Sequence, residues 1–335
     1  MPHNIQLTTP VEIKKSTFDI DHRSNILLLG SCFAQNMGLR LQGYKYSICC
    51  NPFGIIYNPL SIATALKRVL SGQMFDEESS EVFESAERWH STMHHSDFSR
   101  KTKEELLAAI NSTLQQAHLQ MKQADVVIIT FGTAYAYEQK SDGRVVSNCH
   151  KLPASTFNRR LLSIEEIVRE MSEPVKDIIS LRPEVKIIFT VSPIRHLRDG
   201  AHDNQKSKAT LLLAIEELQK AFPQHTHYFP AYEIMLDELR DYRFYADDMT
   251  HPSPLAVEYI WEKFATSHIA PASLKLNEEI EEIKRALAHR PFDAESKAYK
   301  KFIGDVEKKI ANIREKNPHL DFDKETEQCN TLLNR

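Results

Sequence analysis

Short apolar runs separated by amphipathic stretches constrain this chain more than any other feature. Val126-Val127-Ile128-Ile129 and Ile187-Ile188-Phe189 are apolar at consecutive rather than alternate positions. Strands of that kind must be covered on both faces. Ile26–Leu29 is a third such run; Tyr44–Cys50 and His227–Phe229 read as further strands, with Asp125–Phe131 and Val185–Val191 as the outer limits of the first two. Between them, Leu107, Ile110, Leu114, Ala117 and Met121 recur at helical spacing, as do Ile164, Ile167, Met171, Val175 and Ile178, and then Leu211, Ile215, Leu218 and Phe222. Ser163 and Glu166 form a capping box ahead of the second of these helices. The alternation predicts an α/β fold: a parallel sheet with helices on both faces, joined by right-handed crossovers.

In such folds the chemistry sits beyond the carboxyl ends of the strands. Ser31, Gly132, Ser192 and Asp248 each follow a predicted strand and are expected on one rim. Gly30-Ser31-Cys32-Phe33-Ala34 closes the first strand and opens a helix, whose free N–H groups suit a developing oxyanion. Asp248-Met249-Thr250-His251-Pro252 places a carboxylate three residues before a histidine, where it can orient an imidazole able to take the serine's proton. Plainer roles compete: Ser31 as a helix cap, Asp248 as the cap of a helix at Pro252, Cys32 as a packed thiol. Cys32 is also a rival nucleophile, since a helix N-terminus lowers a thiol pKa.

Arg195 and His196 follow the fourth strand; a guanidinium there suits a substrate carboxylate or phosphate, or pairs with a surface acid. In Trp89-His90-Ser91-Thr92-Met93-His94-His95-Ser96-Asp97, His90 and His94 would share a helix face with Asp97 nearby. No further ligand motif accompanies them, so the segment reads as a pocket rim in which His90 touches substrate, and no metal or other cofactor is expected. Phe244 and Tyr245 precede the Asp-His segment and are expected to shape the pocket wall.

A net charge of −4 over 335 residues gives no sign of a nucleic-acid surface. No apolar run approaches the ~20 residues that span a bilayer. Met1–Gln6 lacks the basic and apolar regions of a signal peptide, and five cysteines, two of them the adjacent Cys49 and Cys50, do not suggest a disulfide framework. The expectation is a cytoplasmic protein. From about Ala272 the chain becomes charge-rich, with stripes Leu276, Ile280, Ile283, Leu287 and Phe302, Val306, Ile310, Ile313 on either side of Pro291. These predict a C-terminal helical hairpin, with Asp293 as the cap of its second helix. Its outer face reads as solvated surface, and whether it binds a protein is not legible.

Several blocks together resemble a known family. Gly30-Ser31-Cys32-Phe33-Ala34 is the signature for which the GSCFA-domain family is named. Asn51-Pro52-Phe53-Gly54-Ile55-Ile56-Tyr57-Asn58-Pro59, Phe131-Gly132-Thr133-Ala134, Thr190-Val191-Ser192-Pro193-Ile194-Arg195-His196 and Asp248-Met249-Thr250-His251-Pro252-Ser253 are similar to its later blocks. The resemblance runs from about Leu7 to Ile269. With the change of character near Ala272, the chain reads as a domain over residues 1–271 with a helical extension over 272–335 packed on it. That family in turn resembles the SGNH, or GDSL-like, hydrolases, which implies a flavodoxin-like three-layer α/β/α sandwich. It further implies Ser31 as nucleophile, His251 as base and Asp248 as its orienter in an ester hydrolase. Oxyanion donors would be the N–H of Ser31 and that of Gly54. The third expected donor is an asparagine where this chain has Ala134, which donates nothing from its side chain; losing one such donor costs about 10²–10³ in turnover. Asn51, Asn58, Thr133 and the Arg195-His196 pair are candidates for the replacement. The expected substrate is an acyl or acetyl ester of a carbohydrate or another small polar compound. An O-acyltransferase on the same site and a non-catalytic binding domain are the alternatives.

Overall fold

The computed structural model describes residues 8–334; the expectation about Met1–Gln6 lies outside the described residues, as does Leu7. The chain forms β1 (Asn25–Gly30), α1 (Cys32–Gly43), β2 (Ser47–Cys50), α2 (Pro59–Ser71), the hairpin β3 (Val82–Ser85) and β4 (Arg88–Ser91), and α3 (Lys103–Met121). Then come β5 (Val126–Phe131), a small sheet of β6 (Tyr135–Gln139), β7 (Val145–Val146) and β8 (Phe157–Leu161), and α4 (Ile164–Leu181). The remainder is β9 (Lys186–Val191), α5 (Ala201–Ala221), β10 (Thr226–Phe229), the short α6 (Ala231–Glu233), α7 (Pro254–His268), α8 (Pro271–Ala288), α9 (Lys297–Lys316) and α10 (Asp323–Leu333).

The main sheet has the order β2-β1-β5-β9-β10, with every pairing parallel. That is the flavodoxin-like order, and its switch point lies between β1 and β5. Alternate residues of each strand feed two separate cores, which is why the runs are apolar throughout. Leu27, Leu29, Val127, Ile129, Ile187 and Phe189 pack under α2, α3, α4 and α5. Ile26, Leu28, Val126, Ile128 and Ile188 pack under α1 and α7, and α8, α9 and α10 join that second core. The architecture is thus the three-layer α/β/α sandwich expected.

Several local expectations need correction. Tyr44 caps the end of α1, so the second strand starts only at Ser47. The C-terminal region holds three helices rather than two. Ser296, not Asp293, caps α9, and Phe302 is exposed while Tyr299 and Ile303 take the buried stripe. His90 and His94 do not share a helix: His90 lies in β4 and His94 in the turn after it. All five cysteines are free. Among the described residues no helix is long and apolar enough to cross a membrane.

Candidate active site

A cleft of about 380 Å³ opens at the carboxyl edge of the sheet beside the switch point. The N-terminus of α1 contributes Cys32, the segment before α2 contributes Tyr57 and Asn58, and the turn after β5 contributes Thr133. The small antiparallel sheet forms one wall through Tyr135, Tyr137 and Arg159. The segment after β9 supplies Ser192, Arg195, His196 and Arg198, and His251 closes the opening.

His251 is held by the turn that precedes α7. Ala246 N–H donates to the His251 carbonyl, and Met249 takes a φ of 55° to make the bend. Asp248 Oδ1 accepts the N–H groups of Thr250 and His251, both at 2.9 Å, and Oδ2 lies 2.5 Å from His251 Nδ1. The two backbone donors, His251 first, and then the imidazole hold the Asp248 carboxyl down to about 2. An ionised Asp248 fixes the proton on Nδ1 and leaves Nε2 of this cleft-lining ring as the acceptor. Ser253 caps α7, so Asp248 is not that helix's cap.

The two neighbours at the start of α1 differ. Ser31 is 1% exposed, its Oγ accepts the Phe33 N–H at 3.2 Å, and it is not among the residues lining the cleft. Cys32, the first helical residue, does line it. Burial is the largest effect and leaves its thiol raised; its own N–H, the N–H of Phe33 and the charge of Lys208 pull it only partly back. Gly30 makes this step possible: its φ is 141°, and a Cβ there would lie 2.2 Å from the Thr130 carbonyl oxygen. Only glycine lets β1 approach β5 so closely.

Most candidate oxyanion donors are occupied within the protein. Asn51 accepts Gly30 N–H at 2.9 Å and donates to Gln35 Oε1 at 3.2 Å; Gly54 N–H donates to the Asn51 carbonyl at 2.7 Å. Asn58 caps α2 through Ser61 N–H and also donates to Ser61 Oγ. Thr133 faces the cleft, but its hydroxyl is shared with Ser207 Oγ and Tyr135 N–H. Ala134 is fully buried, and its N–H donates to Ser207 Oγ at 2.8 Å.

Arg195 and His196 both reach the cleft. Burial first, and then the charges of Lys208, His251 and Arg159, push the His196 imidazole down to about 4. His90 is turned to other work: its ring nitrogens lie 2.7 Å from Ser99 Oγ and 3.1 Å from the Ser85 carbonyl. Neither His90 nor Tyr245 lines the cleft. Among the described residues no group of three or more ligating side chains is placed to hold a metal.

Lys208 was not anticipated. It sits on α5 at 1% exposure, donating to the Gly132 carbonyl at 2.7 Å and the Ser192 carbonyl at 2.9 Å. Burial is the main force on its ammonium, pushing it down to about 7. The signal was available: Asn204, Ser207 and Lys208 lie on the same helical stripe as the buried Leu211, Ile215 and Leu218.

A parallel α/β/α sandwich with an Asp–His pair over the N-terminus of its first helix is the class of molecule these features define. The chain belongs to the GSCFA family, whose profile matches residues 25–264, and the GSCFA domain protein C-terminal domain matches residues 280–335. No curated protein matches the sequence. Among solved structures, one from Streptococcus pneumonia, provisionally described as a platelet activating factor, is similar at 10% identity and a TM-score of 0.38, over 73% of this chain and 83% of that one. An acetyl xylan esterase from the rumen bacterium Butyrivibrio proteoclasticus is similar at 8% identity and a TM-score of 0.38, over 75% of this chain and 66% of that one. Likeness at this level carries no argument about activity.

Proposed function

We propose that this chain hydrolyses acyl esters through a covalent acyl-enzyme. The observation that carries the reading is one cleft shared by Cys32, at a helix N-terminus, and His251, whose Nδ1 is tied to Asp248. We take Cys32 rather than the expected Ser31 as the nucleophile, because Cys32 lines the cleft with His251 while Ser31 is buried and does not. His251 Nε2 takes the thiol proton as Sγ attacks the ester carbonyl carbon. The oxyanion forms against the free N–H groups of α1. Collapse breaks the carbon–oxygen bond, the departing alkoxide takes the proton from His251, and a thioester remains on Cys32. His251 then deprotonates a water, which attacks the thioester; the acid leaves and the thiol recovers its proton. Asp248 holds the imidazole in the required tautomer throughout.

The tyrosine and arginine walls suit a small polar ester, including an acyl group carried on a carbohydrate. In this reading the site belongs to residues 1–271, and the extension over 272–335 buttresses it. The test is release of p-nitrophenol from p-nitrophenyl acetate by the wild type and by Cys32→Ala, His251→Ala and Ser31→Ala. Loss in the first two with turnover retained in Ser31→Ala supports the assignment. Loss in Ser31→Ala together with full activity in Cys32→Ala would return the role to serine. Substitution of a sugar hydroxyl for water would appear as an acylated sugar product and make the chain an O-acyltransferase. No turnover by the wild type, on this ester or on acetylated sugars, would favour a binding domain.

A further inference from the structure

Two arginines that line the cleft stand in opposite conditions. Arg159 is already neutralised: it pairs with Asp199 and stacks on Tyr135, its guanidinium carbon 3.8 Å from the ring centroid. Arg195 has no carboxylate within ion-pair distance among the described residues, and its Nε is shielded from water without a hydrogen-bond partner. A guanidinium stays charged at any working pH and presents its donors in a rigid fork. Arginines that serve the fold spend that fork on the backbone, as Arg88 does on the Ser99 carbonyl at 2.6 Å and Arg182 on the Ala124 carbonyl at 3.2 Å. The carboxylates of the neighbouring elements are taken. Asp248 is tied to His251, Glu233 accepts the Tyr228 hydroxyl at 2.9 and 2.8 Å, and Asp237 lies 3.7 Å from Arg240. Tyr232, which feels the Arg195 charge, donates its hydroxyl to Gln205 Oε1 at 2.6 Å. His196, next in the chain, is pushed down to about 4, chiefly by burial, and is neutral near pH 7.

The backbone that carries Arg195 is fixed on either side of it. Ser192 N–H donates to the Phe131 carbonyl at 2.8 Å, the Ser192 carbonyl accepts Lys208 Nζ at 2.9 Å, and His196 N–H donates to Asn204 Oδ1 at 2.9 Å. Asn204 and Lys208 are each 1% exposed on α5, so water does not compete for these ties. Ser192 also lines the cleft, and its buried Oγ is a second donor on this segment without a partner among the described residues. A rigid mount with unspent donors is what recognition of a fixed anion needs, because little order remains to be imposed on binding. We infer that Arg195 seats a carboxylate of the substrate, so that the ester cleaved here carries a free acid group besides its acyl bond. The substrate assignment rests on the hydrolase reading of the cleft, whereas the carboxylate site itself does not. With Nε shielded, the donors left for the ligand are the two Nη groups, which match the two oxygens of a planar carboxylate side by side. One sheltered guanidinium balances one negative charge; a phosphate group carries up to two.

Binding is measured calorimetrically on the full chain with adipate, its uncharged diamide and inorganic phosphate. The wild type is expected to hold adipate about tenfold or more tighter than the diamide, the worth of one charge-assisted contact. Arg195→Ala should remove that margin, and Arg195→Lys, which keeps the charge but loses the fork, should recover only part of it. In turnover, mono-p-nitrophenyl adipate should be preferred to p-nitrophenyl hexanoate by about tenfold in kcat/KM, chiefly through KM, and Arg195→Ala should erase the preference. Equal affinity of the wild type for adipate and the diamide would overturn the inference, as would an undiminished margin in folded Arg195→Ala. Should that variant not fold, the wild-type comparison decides alone. Phosphate held more tightly than adipate would overturn the choice of a carboxylate. Arg195-dependent adipate binding by a chain that cleaves no ester would keep the carboxylate site and sink the hydrolase reading. Cleavage of p-nitrophenyl acetate by a chain indifferent to adipate would do the reverse.

Discussion

Along the C-terminal helices, Lys45 reaches Glu325, Lys284 reaches Glu281, Lys309 reaches Glu282 and Arg314 reaches Asp323. At the cleft, Arg159 pairs with Asp199, while the buried Lys208 and the cleft-lining Arg195 have no carboxylate within ion-pair distance among the described residues. The first group consists of pairs in or near water, each worth about 0.2–1 kcal/mol and dispensable one at a time. The second includes Lys208, buried without a carboxylate partner, where charge costs stability and burial pushes the amine down to about 7. The contrast is between charges paired across the outer helices and a lysine buried unpaired behind the Ser192 carbonyl at the cleft, where only Arg159 and Asp199 form a pair.

The sharpest way to break that contrast is to remove the nucleophile and, separately, a core side chain on the other side. Cys32→Ala is expected to lower ester turnover on the order of 10⁴-fold or more while the thermal midpoint moves little. Phe322→Ala, in the core under the C-terminal helices, should cost about 3–5 kcal/mol in denaturant unfolding and leave kcat/KM of the folded protein unchanged. A large turnover loss in folded Phe322→Ala would mean that the two regions are not separable. Asp248→Asn comes next, with a loss on the order of 10³–10⁴ in kcat from the wrong tautomer. Because the Asp248 carboxyl is held down to about 2, it stays ionised through the whole working range. The acid limb of the wild-type rate profile should therefore carry no contribution from Asp248.

A smaller effect concerns acid stability. Burial pushes His94 down to about 3, packed among Phe53, Phe75 and Phe98. Its value in the unfolded chain is the ordinary 6.5. Between those values the unfolded chain binds the extra proton, so stability is full above about pH 6.5 and falls as pH drops toward 3, by on the order of a few kcal/mol. Melting followed from pH 7 to pH 4 should show the fall, and His94→Gln should remove its share, the rest coming from His22, His196 and His268, which burial also pushes down to about 4. Smallest of all, Lys309→Ala should change stability by less than about 1 kcal/mol and leave turnover alone.

The central strands were legible because coverage on both faces leaves an unbroken apolar run, as in Val126–Ile129. The helices under them were legible from their stripes. The hairpin β3–β4 and the sheet β6–β7–β8 were not: Phe157-Asn158-Arg159-Arg160-Leu161 is half-exposed and polar, and no hydrophobic period marks such an edge element. That sheet carries Tyr135, Tyr137 and Arg159, so one whole wall of the cleft went unseen. The Asp248-His251 geometry was legible from spacing alone. The choice between Ser31 and Cys32 was not, because which of two adjacent residues faces a cleft depends on the angle at which α1 leaves β1. Lys208 was hidden by habit rather than physics, since lysine on a helix is read as surface even when its neighbours on the stripe are Leu211 and Ile215.

The position of β1 has a kinetic consequence. It lies inside the sheet, and its neighbour β5 begins so far along the chain that Asn25 N–H is tied to an Asp125 carboxylate one hundred residues on. Until that partner is synthesised, the turn at Gly30 has no second strand to lean on, and His251 emerges later still. Closing loops of this length makes folding slow. On the proposed mechanism, the Cys32 thiol is thus unframed while the chain is growing and would gain His251 as its base only in the final stages of assembly. Any fragment ending before α7 should be catalytically silent, so activity itself would serve as a clock for completion of the fold.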